Sequence, residues 1–96
     1  MKNSKTSQKY SQFNQYRNTP QFELDLLVLE DMIRIGLTPS NYPVSNDEAD
    51  ALDDLAWNLE EGNLRWANNI LFDISIDNPV LYKAIPIGLK ALLNIE

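Results

Sequence analysis

Seven carboxylates lie in one stretch of sixteen residues, from Asn46 to Glu61, that contains no lysine, arginine or histidine. They are Asp47, Glu48, Asp50, Asp53, Asp54, Glu60 and Glu61. Carboxylates can serve as a paired general acid and base, as ligands for Ca²⁺ or Mg²⁺, or as a surface that attracts a basic partner. Catalysis and cation binding both need side chains that converge on one point, so the element that carries these acids decides their chemistry.

The same stretch has the apolar spacing of an amphipathic helix. One side carries Ala49, Leu52, Leu55, Ala56 and Leu59. At about 100° per residue, the opposite side carries five residues that we term the acidic ridge: Asp50, Asp53, Asp54, Trp57 and Glu61. A helix spreads these carboxylates apart, so we expect neither catalysis nor a metal site.

We predict instead that the acidic ridge binds a protein partner with a basic surface. Tryptophan is enriched at binding hot spots, and clustered acids speed the encounter with a basic protein. The alternative is a solvated helix face that keeps a small protein soluble, with Trp57 lying flat against a neighbouring segment.

Composition excludes several other classes of site. The chain has no cysteine and no histidine, which removes disulfides, thiolate or zinc sites and Ser-His catalysis. The three glycines are isolated, so no phosphate-binding loop is present. No apolar run approaches the roughly 20 residues that span a bilayer, and no apolar stretch follows the basic N-terminus as in a secretory signal. We expect a cytoplasmic protein that is not an enzyme and has no cofactor, no metal and no membrane partner.

The first nineteen residues differ in charge from the rest of the chain. They hold four of the eight basic residues and no acid, whereas all fourteen acids follow. Residues 1–18 have no aliphatic side chain after Met1, so we expect a disordered basic arm. Its rings, Tyr10, Phe13 and Tyr16, are spaced three apart and precede Arg17. These residues are consistent with an arm that becomes ordered when it binds a protein or nucleic-acid partner. They are also consistent with a flexible tail whose rings make only slight contact with the domain.

Residues 19–96 are predicted to form a single helical domain. Thr19 and Pro20 suit the start of a helix, and Gly36 suits its end. Between them the apolar residues cover nearly the whole circumference, which indicates a buried central helix or one that completes its burial in an oligomer. Partial alternation over residues 22–29 also allows a strand, but the caps and the length favour a helix.

Further helix ends can be read from capping residues. Ser45 and Glu48 form a capping box before the acidic helix, and Gly62 ends it. Asn63 is expected to cap a third helix, and Asn78 with Pro79 to begin a fourth. Pro86 and Gly88 predict a kink or two short helices there. We expect three aromatic residues to pack in the core: Trp66, Phe72 and Tyr82.

Residues 46–76 resemble a tetratricopeptide hairpin. Gly62 lies at the turn, followed at the spacing of that repeat by Leu64, Ala67, Leu71 and Ile74, and Pro79 falls where the repeat closes. Asp54 and Asn58 depart from the pattern, and a solenoid needs about three repeats. The resemblance implies an antiparallel helical hairpin, and we carry over no function from it.

The sequence therefore predicts an all-α bundle of three to five helices with a disordered basic N-terminal arm. We expect a non-catalytic protein–protein interaction protein, such as a small adaptor, accessory subunit or inhibitor. One alternative is an acidic nucleic-acid mimic of the kind that phages encode against host defence. A second alternative is nucleic-acid binding through the arm.

Overall fold

A computed structural model describes residues 9–95, and within this range the chain is helical apart from short connections and one β-bridge between Leu37 and Pro43. The predicted all-α bundle is confirmed. The elements are α1 (Ser11–Arg17), α2 (Pro20–Ile35), α3 (Asn46–Glu61), α4 (Leu64–Asp77), α5 (Pro79–Ala84), α6 (Ile87–Lys90) and a 3-10 helix (Ala91–Asn94). The predicted fourth helix is thus divided at Pro86, and α1 is an additional helix.

The ends of α2 and α3 follow from local sequence. Pro20 occupies the first turn of α2, and Gly36 ends it in the left-handed conformation with φ of 82°. The capping box before α3 is present in both directions: Glu48 N–H donates to Ser45 Oγ at 3.2 Å, and Ser45 N–H donates to Glu48 Oε1 at 2.8 Å. Thr19 differs from expectation, because its hydroxyl donates to the Tyr16 carbonyl instead of capping α2.

The core lies between α2, α3 and α4, and α3 contacts both of the others. The short C-terminal helices close it, with Asn68 Nδ2 on α4 donating to the Leu92 carbonyl at 3.0 Å. The fully buried side chains are Leu29, Met32, Leu52, Leu55, Leu59, Leu71, Leu81, Ile85, Leu89 and Leu92. All of them belong to one connected cluster, so residues 9–95 share a single core.

The central helix is less buried than its composition suggests. Leu29 and Met32 are buried, but Leu24, Leu27 and Ile35 are about half exposed on the outer side of α2. The expectation of burial on all sides is therefore wrong within this chain, because neighbouring helices cover only one side of α2. Burial of the outer side in an oligomer stays a prediction.

The N-terminal arm is ordered where disorder was expected. Ser11–Arg17 form α1, and Phe13 is only 4% exposed within the core cluster. The prediction of a disordered arm is wrong for these residues, because Phe13 packs in the core and Tyr10 and Tyr16 pack against it, which orders a segment that lacks aliphatic side chains. The expectation of disorder for residues 1–8 lies outside the described residues.

Two polar contacts hold α1 against the body. The Tyr16 hydroxyl donates to Asp25 on α2, a carboxylate only 8% exposed that also accepts from Gln21 Nε2 at 2.9 Å. Arg17 donates from Nε to the Leu59 carbonyl and from Nη2 to the Glu60 carbonyl, both at 2.9 Å. The guanidinium thereby caps the C-terminus of α3, whose last turn carries no basic residue of its own.

Burial raises the pKa of the Tyr16 phenol above its usual value, and the hydrogen bond to Asp25 and the charge of Asp25 raise it further. The folded state therefore holds this proton more tightly than the unfolded state does. The resulting stability is present below the ordinary tyrosine pKa of about 10 and is lost as the pH rises above it.

We predict that Leu29→Ala lowers the free energy of unfolding by about 2–5 kcal/mol, because it opens a cavity in the core. Leu27 lies on the same helix and is 50% exposed, whereas Leu29 is 0% exposed. Leu27→Ala should therefore lower the free energy of unfolding by no more than about 0.5–1 kcal/mol. Urea unfolding followed by circular dichroism measures both, and equal losses at the two positions would contradict the assigned orientation of α2.

We also predict that Tyr16→Phe lowers the free energy of unfolding by about 1.5–3 kcal/mol, because Asp25 loses a hydrogen-bond donor while it remains buried. Above about pH 10, the stability of the variant should also fall less steeply than that of the wild type. Denaturant unfolding at pH 7 and above pH 10 tests this. Tyr82→Phe, at another half-buried tyrosine, is the control and should change stability by less than about 0.5 kcal/mol.

Candidate binding groove

The helices α3 and α4 form a hairpin. Gly62 and Asn63 are the only residues between them, and the two helices contact each other along their lengths, so they run antiparallel. Gly62 adopts a left-handed conformation with φ of 81°, and Asn63 N–H donates to the Asn58 carbonyl at 2.9 Å. The Asn63 side chain does not cap α4 as expected; it lies 3.4 Å from Asn58 Oδ1, to which its amide donates. The antiparallel hairpin that the sequence implied is thus present.

A groove runs along the outer side of this hairpin. One part of it, about 390 Å³, lies toward the start of α3 and the end of α4 and has an apolar floor. The residues that line it are Asp47, Glu48, Ala51, Asp54, Ile70, Asp73, Ile74, Asp77, Asn78 and Leu81. Its carboxylates come from both helices, so the negative charge surrounds the apolar floor.

The other part of the groove, about 530 Å³, lies toward Gly62 and contains both tryptophans of the chain. Trp57 is 56% exposed and Trp66 is 65% exposed. The lining residues are Asp54, Trp57, Asn58, Asn63, Trp66, Asn69, Ile70 and Asp73. Asp54, Ile70 and Asp73 line both parts, so the two are continuous.

The acidic ridge is exposed as its spacing predicted, but only part of it lies in the groove. Asp54 and Trp57 line the groove, whereas Asp50, Asp53 and Glu61 are exposed on α3 beside it. The acidic ridge therefore contributes Asp54 and Trp57 to one wall of the groove and is part of a larger acidic surface. The opposite wall comes from α4 and was not anticipated from the sequence.

Trp66 and Phe72 were expected in the core, and both expectations are wrong. Both side chains are exposed, while Tyr82 is half buried against the core as expected. The position of Trp66 beside Trp57 could have been predicted from the distance of each residue to the turn of the hairpin. Trp57 lies five residues before Gly62 and Trp66 four residues after it. Positions at similar distances from the turn of an antiparallel hairpin lie side by side.

Asn58 contacts Asp54, one of the two aspartates that line both parts of the groove. It is a buried residue on α3, and its Nδ2 donates to the Asp54 carbonyl at 2.8 Å and lies 3.5 Å from Asp54 Oδ1. The Asn58 amide thus binds the Asp54 backbone and lies near the Asp54 carboxylate. This contact gives Asn58, a departure from the tetratricopeptide pattern, a structural role.

Glu48 contributes negative charge to the groove, but both of its carboxylate oxygens already accept hydrogen bonds within the fold. Oε1 accepts from Ser45 N–H in the capping box, and Oε2 accepts from the Tyr42 hydroxyl at 3.1 Å and from Asn78 Nδ2. Asn78 in turn caps α5, where Leu81 N–H donates to its Oδ1 at 3.1 Å. Glu48 therefore joins the loop before α3 to the start of α5, and both of its carboxylate oxygens have partners within the fold.

The candidate residues of the arm are largely engaged in the fold. Phe13 is buried, Tyr16 donates to Asp25, and Arg17 caps α3. Tyr10 is half buried against the core. The structure thus places these four residues in the docking of α1, and none of them lines the α3–α4 groove.

Charge in the groove is of one sign. Five carboxylates line its two parts, and none of the lining residues is basic. Between residues 9 and 95, no set of three or more acidic side chains is arranged to hold a metal ion. No helix in that range has the length and apolar character to cross a membrane.

Comparison of the chain with protein-family models, with curated proteins and with solved structures gives no significant match.

We predict that Cs⁺ quenches the fluorescence of both tryptophans more efficiently than iodide does, relative to free indole. The carboxylates concentrate cations in the groove and repel anions. Trp57→Phe and Trp66→Phe report each indole separately, and added salt should narrow the difference because it screens exposed charges. Equal quenching by the two ions at low salt would show that the groove does not have the expected negative potential.

Proposed function

We propose that this protein is a non-catalytic protein-interaction module that binds a basic segment of a partner protein in the α3–α4 groove. The observation that carries the proposal is the exposure of two tryptophans on facing helices, in a groove whose charged lining residues are all carboxylates. Large aromatic side chains at a concave surface supply most of the binding energy in many interfaces. Such a module would act as an adaptor, an accessory subunit or an inhibitor in the cytoplasm.

The charge of the groove supports a basic occupant. Carboxylates on both walls repel one another, and a partner that brings lysine or arginine relieves this repulsion as it binds. The apolar floor, which includes Ala51, Ile70 and Ile74, favours an occupant that also carries apolar side chains. A basic amphipathic segment has both properties.

The concave shape favours a peptide-binding role over nucleic-acid mimicry. A mimic must insert a protruding row of negative charges into the basic cleft of another protein. Asp50, Asp53 and Glu61 protrude from α3 and fit such a role, but the tryptophans and the apolar floor would have no function in it. A groove that receives a segment uses all of these features.

Nucleic-acid binding through the arm has less support. Phe13, Tyr16 and Arg17 already have partners within the fold. Binding of nucleic acid by these residues would require α1 to leave the body, and that would expose Phe13 and leave the Asp25 carboxylate without its tyrosine donor.

We predict that Trp57→Ala weakens binding of the partner by at least about 2 kcal/mol, the usual threshold of a hot spot. The double variant Asp53→Asn with Asp54→Asn should mainly slow association, and this effect should shrink as salt rises. The partner is first identified by affinity capture and mass spectrometry from the source cells. Calorimetry and stopped-flow mixing with the purified partner then measure the affinity and the association rate.

Phe72→Ala is the matched control, because Phe72 is an exposed aromatic on α4 outside the groove. It should leave affinity within about 0.5 kcal/mol of the wild type. If the partner binds Trp57→Ala as tightly as it binds the wild type, the groove is not the binding site. A partner whose binding is lost only on deletion of residues 1–8 would assign the function to the arm, and competition by DNA or RNA for the same cleft of the partner would favour the mimic.

A further inference from the structure

We infer that the end of the groove near Gly62 is a site for one arginine side chain of the partner, whose guanidinium lies against Trp57 and Trp66 and pairs with Asp54 and Asp73. This inference rests on the proposed function, because it assigns a ligand to one part of the same groove. The inference goes beyond the proposed function, because it states which basic side chain is recognised and which residues recognise it.

The two indoles make this part of the groove suitable for a cation. The face of an indole attracts a positive charge within about 6 Å of the ring centre, more strongly than the rings of tyrosine or phenylalanine do. Trp57 and Trp66 come from opposite walls and line the same space, so a side chain that enters it meets both. Neither ring is covered by another part of the described chain, since both are more than half exposed.

The carboxylates at this end supply the matching charge. Asp54 on α3 and Asp73 on α4 line the space together with the indoles, and no basic side chain lines it. The Asn58 amide lies 3.5 Å from Asp54 Oδ1. Two arginines of the chain are engaged at other places, Arg17 at the end of α3 and Arg34 with Asp31 at 2.8 Å.

The lining residues favour arginine over lysine. A guanidinium is planar, stacks on aromatic faces and offers five N–H donors in a fixed arrangement, whereas an ammonium is a compact and strongly hydrated charge. The Tyr82 ring elsewhere in the chain already has a lysine above it, with Lys90 Nζ 5.0 Å from the ring centre. The space near Gly62 instead has two rings, two carboxylates and the amides of Asn63 and Asn69, which together match more donors than one ammonium has.

The experiment uses the full chain and three capped tripeptides, Gly-Arg-Gly, Gly-Lys-Gly and Gly-citrulline-Gly. The indole N–H resonances of Trp57 and Trp66 are followed by two-dimensional ¹H–¹⁵N NMR and assigned with Trp57→Phe and Trp66→Phe. We expect the arginine peptide to shift both resonances saturably and to bind at least about threefold more tightly than the lysine peptide, in keeping with the stacking of guanidinium on indole. The citrulline peptide, which has nearly the same shape without the charge, should cause no saturable shift.

Variants separate this site from the rest of the groove. Asp54→Asn with Asp73→Asn should abolish the shift, whereas Asp50→Asn, an exposed ridge position outside the lining, should retain it. Equal binding of the arginine and lysine peptides, or binding of the citrulline peptide, would overturn the arginine site. Neither result would affect the proposed function, because that is tested independently by the binding of the purified partner to Trp57→Ala.

Discussion

The division of α3 into two incompatible faces constrains the rest of the structure. One face carries Leu52, Leu55 and Leu59, which are completely buried, and the other carries the acidic ridge. A buried carboxylate without a partner is very costly, so α3 can adopt only the rotation that turns its acids to solvent. Its neighbours α2 and α4 must then cover the leucine face from two sides. Because acids at helical spacing repel one another, this packing and the caps at the two ends stabilise a helix that would be weak by itself.

The two ends of α3 are stabilised in different ways. At the N-terminus, Asp47 and Glu48 lie where the helix dipole favours negative charge, and Glu48 completes the capping box. At the C-terminus the dipole opposes Glu60 and Glu61, and no base in the last turn offsets them. Arg17 supplies the missing positive charge from a distant part of the chain. The order of α1 and the stability of α3 are thus coupled through one guanidinium, with Phe13 providing the apolar contact that brings it into place.

The groove is a consequence of the same arrangement. Once α4 covers one side of α3 in an antiparallel hairpin, the polar sides of both helices meet along a common edge. Trp57 and Trp66 then line one space near the turn, and aspartates from both helices line the groove farther along. No lining residue is basic, so nothing in the groove offsets this charge, and for that reason we propose the groove as the surface for a basic partner.

Several interactions between residues three or four apart were predictable from the sequence alone, although the side chains of Thr19 and Asn63 do not cap the helices that follow them. The capping box at Ser45, the glycine ends at Gly36 and Gly62, the leucine stripe of α3 and the break at Pro86 depend only on such neighbours, and the structure contains all of them. The tertiary structure decided which apolar residues are buried. Leu27, Trp66 and Phe72 remain exposed because neighbouring helices cover only one side of α2 and α4, whereas Phe13 is buried because α1 packs against α2. Burial of a side chain depends on what the rest of the chain brings against it, and local spacing contains no information about that contact.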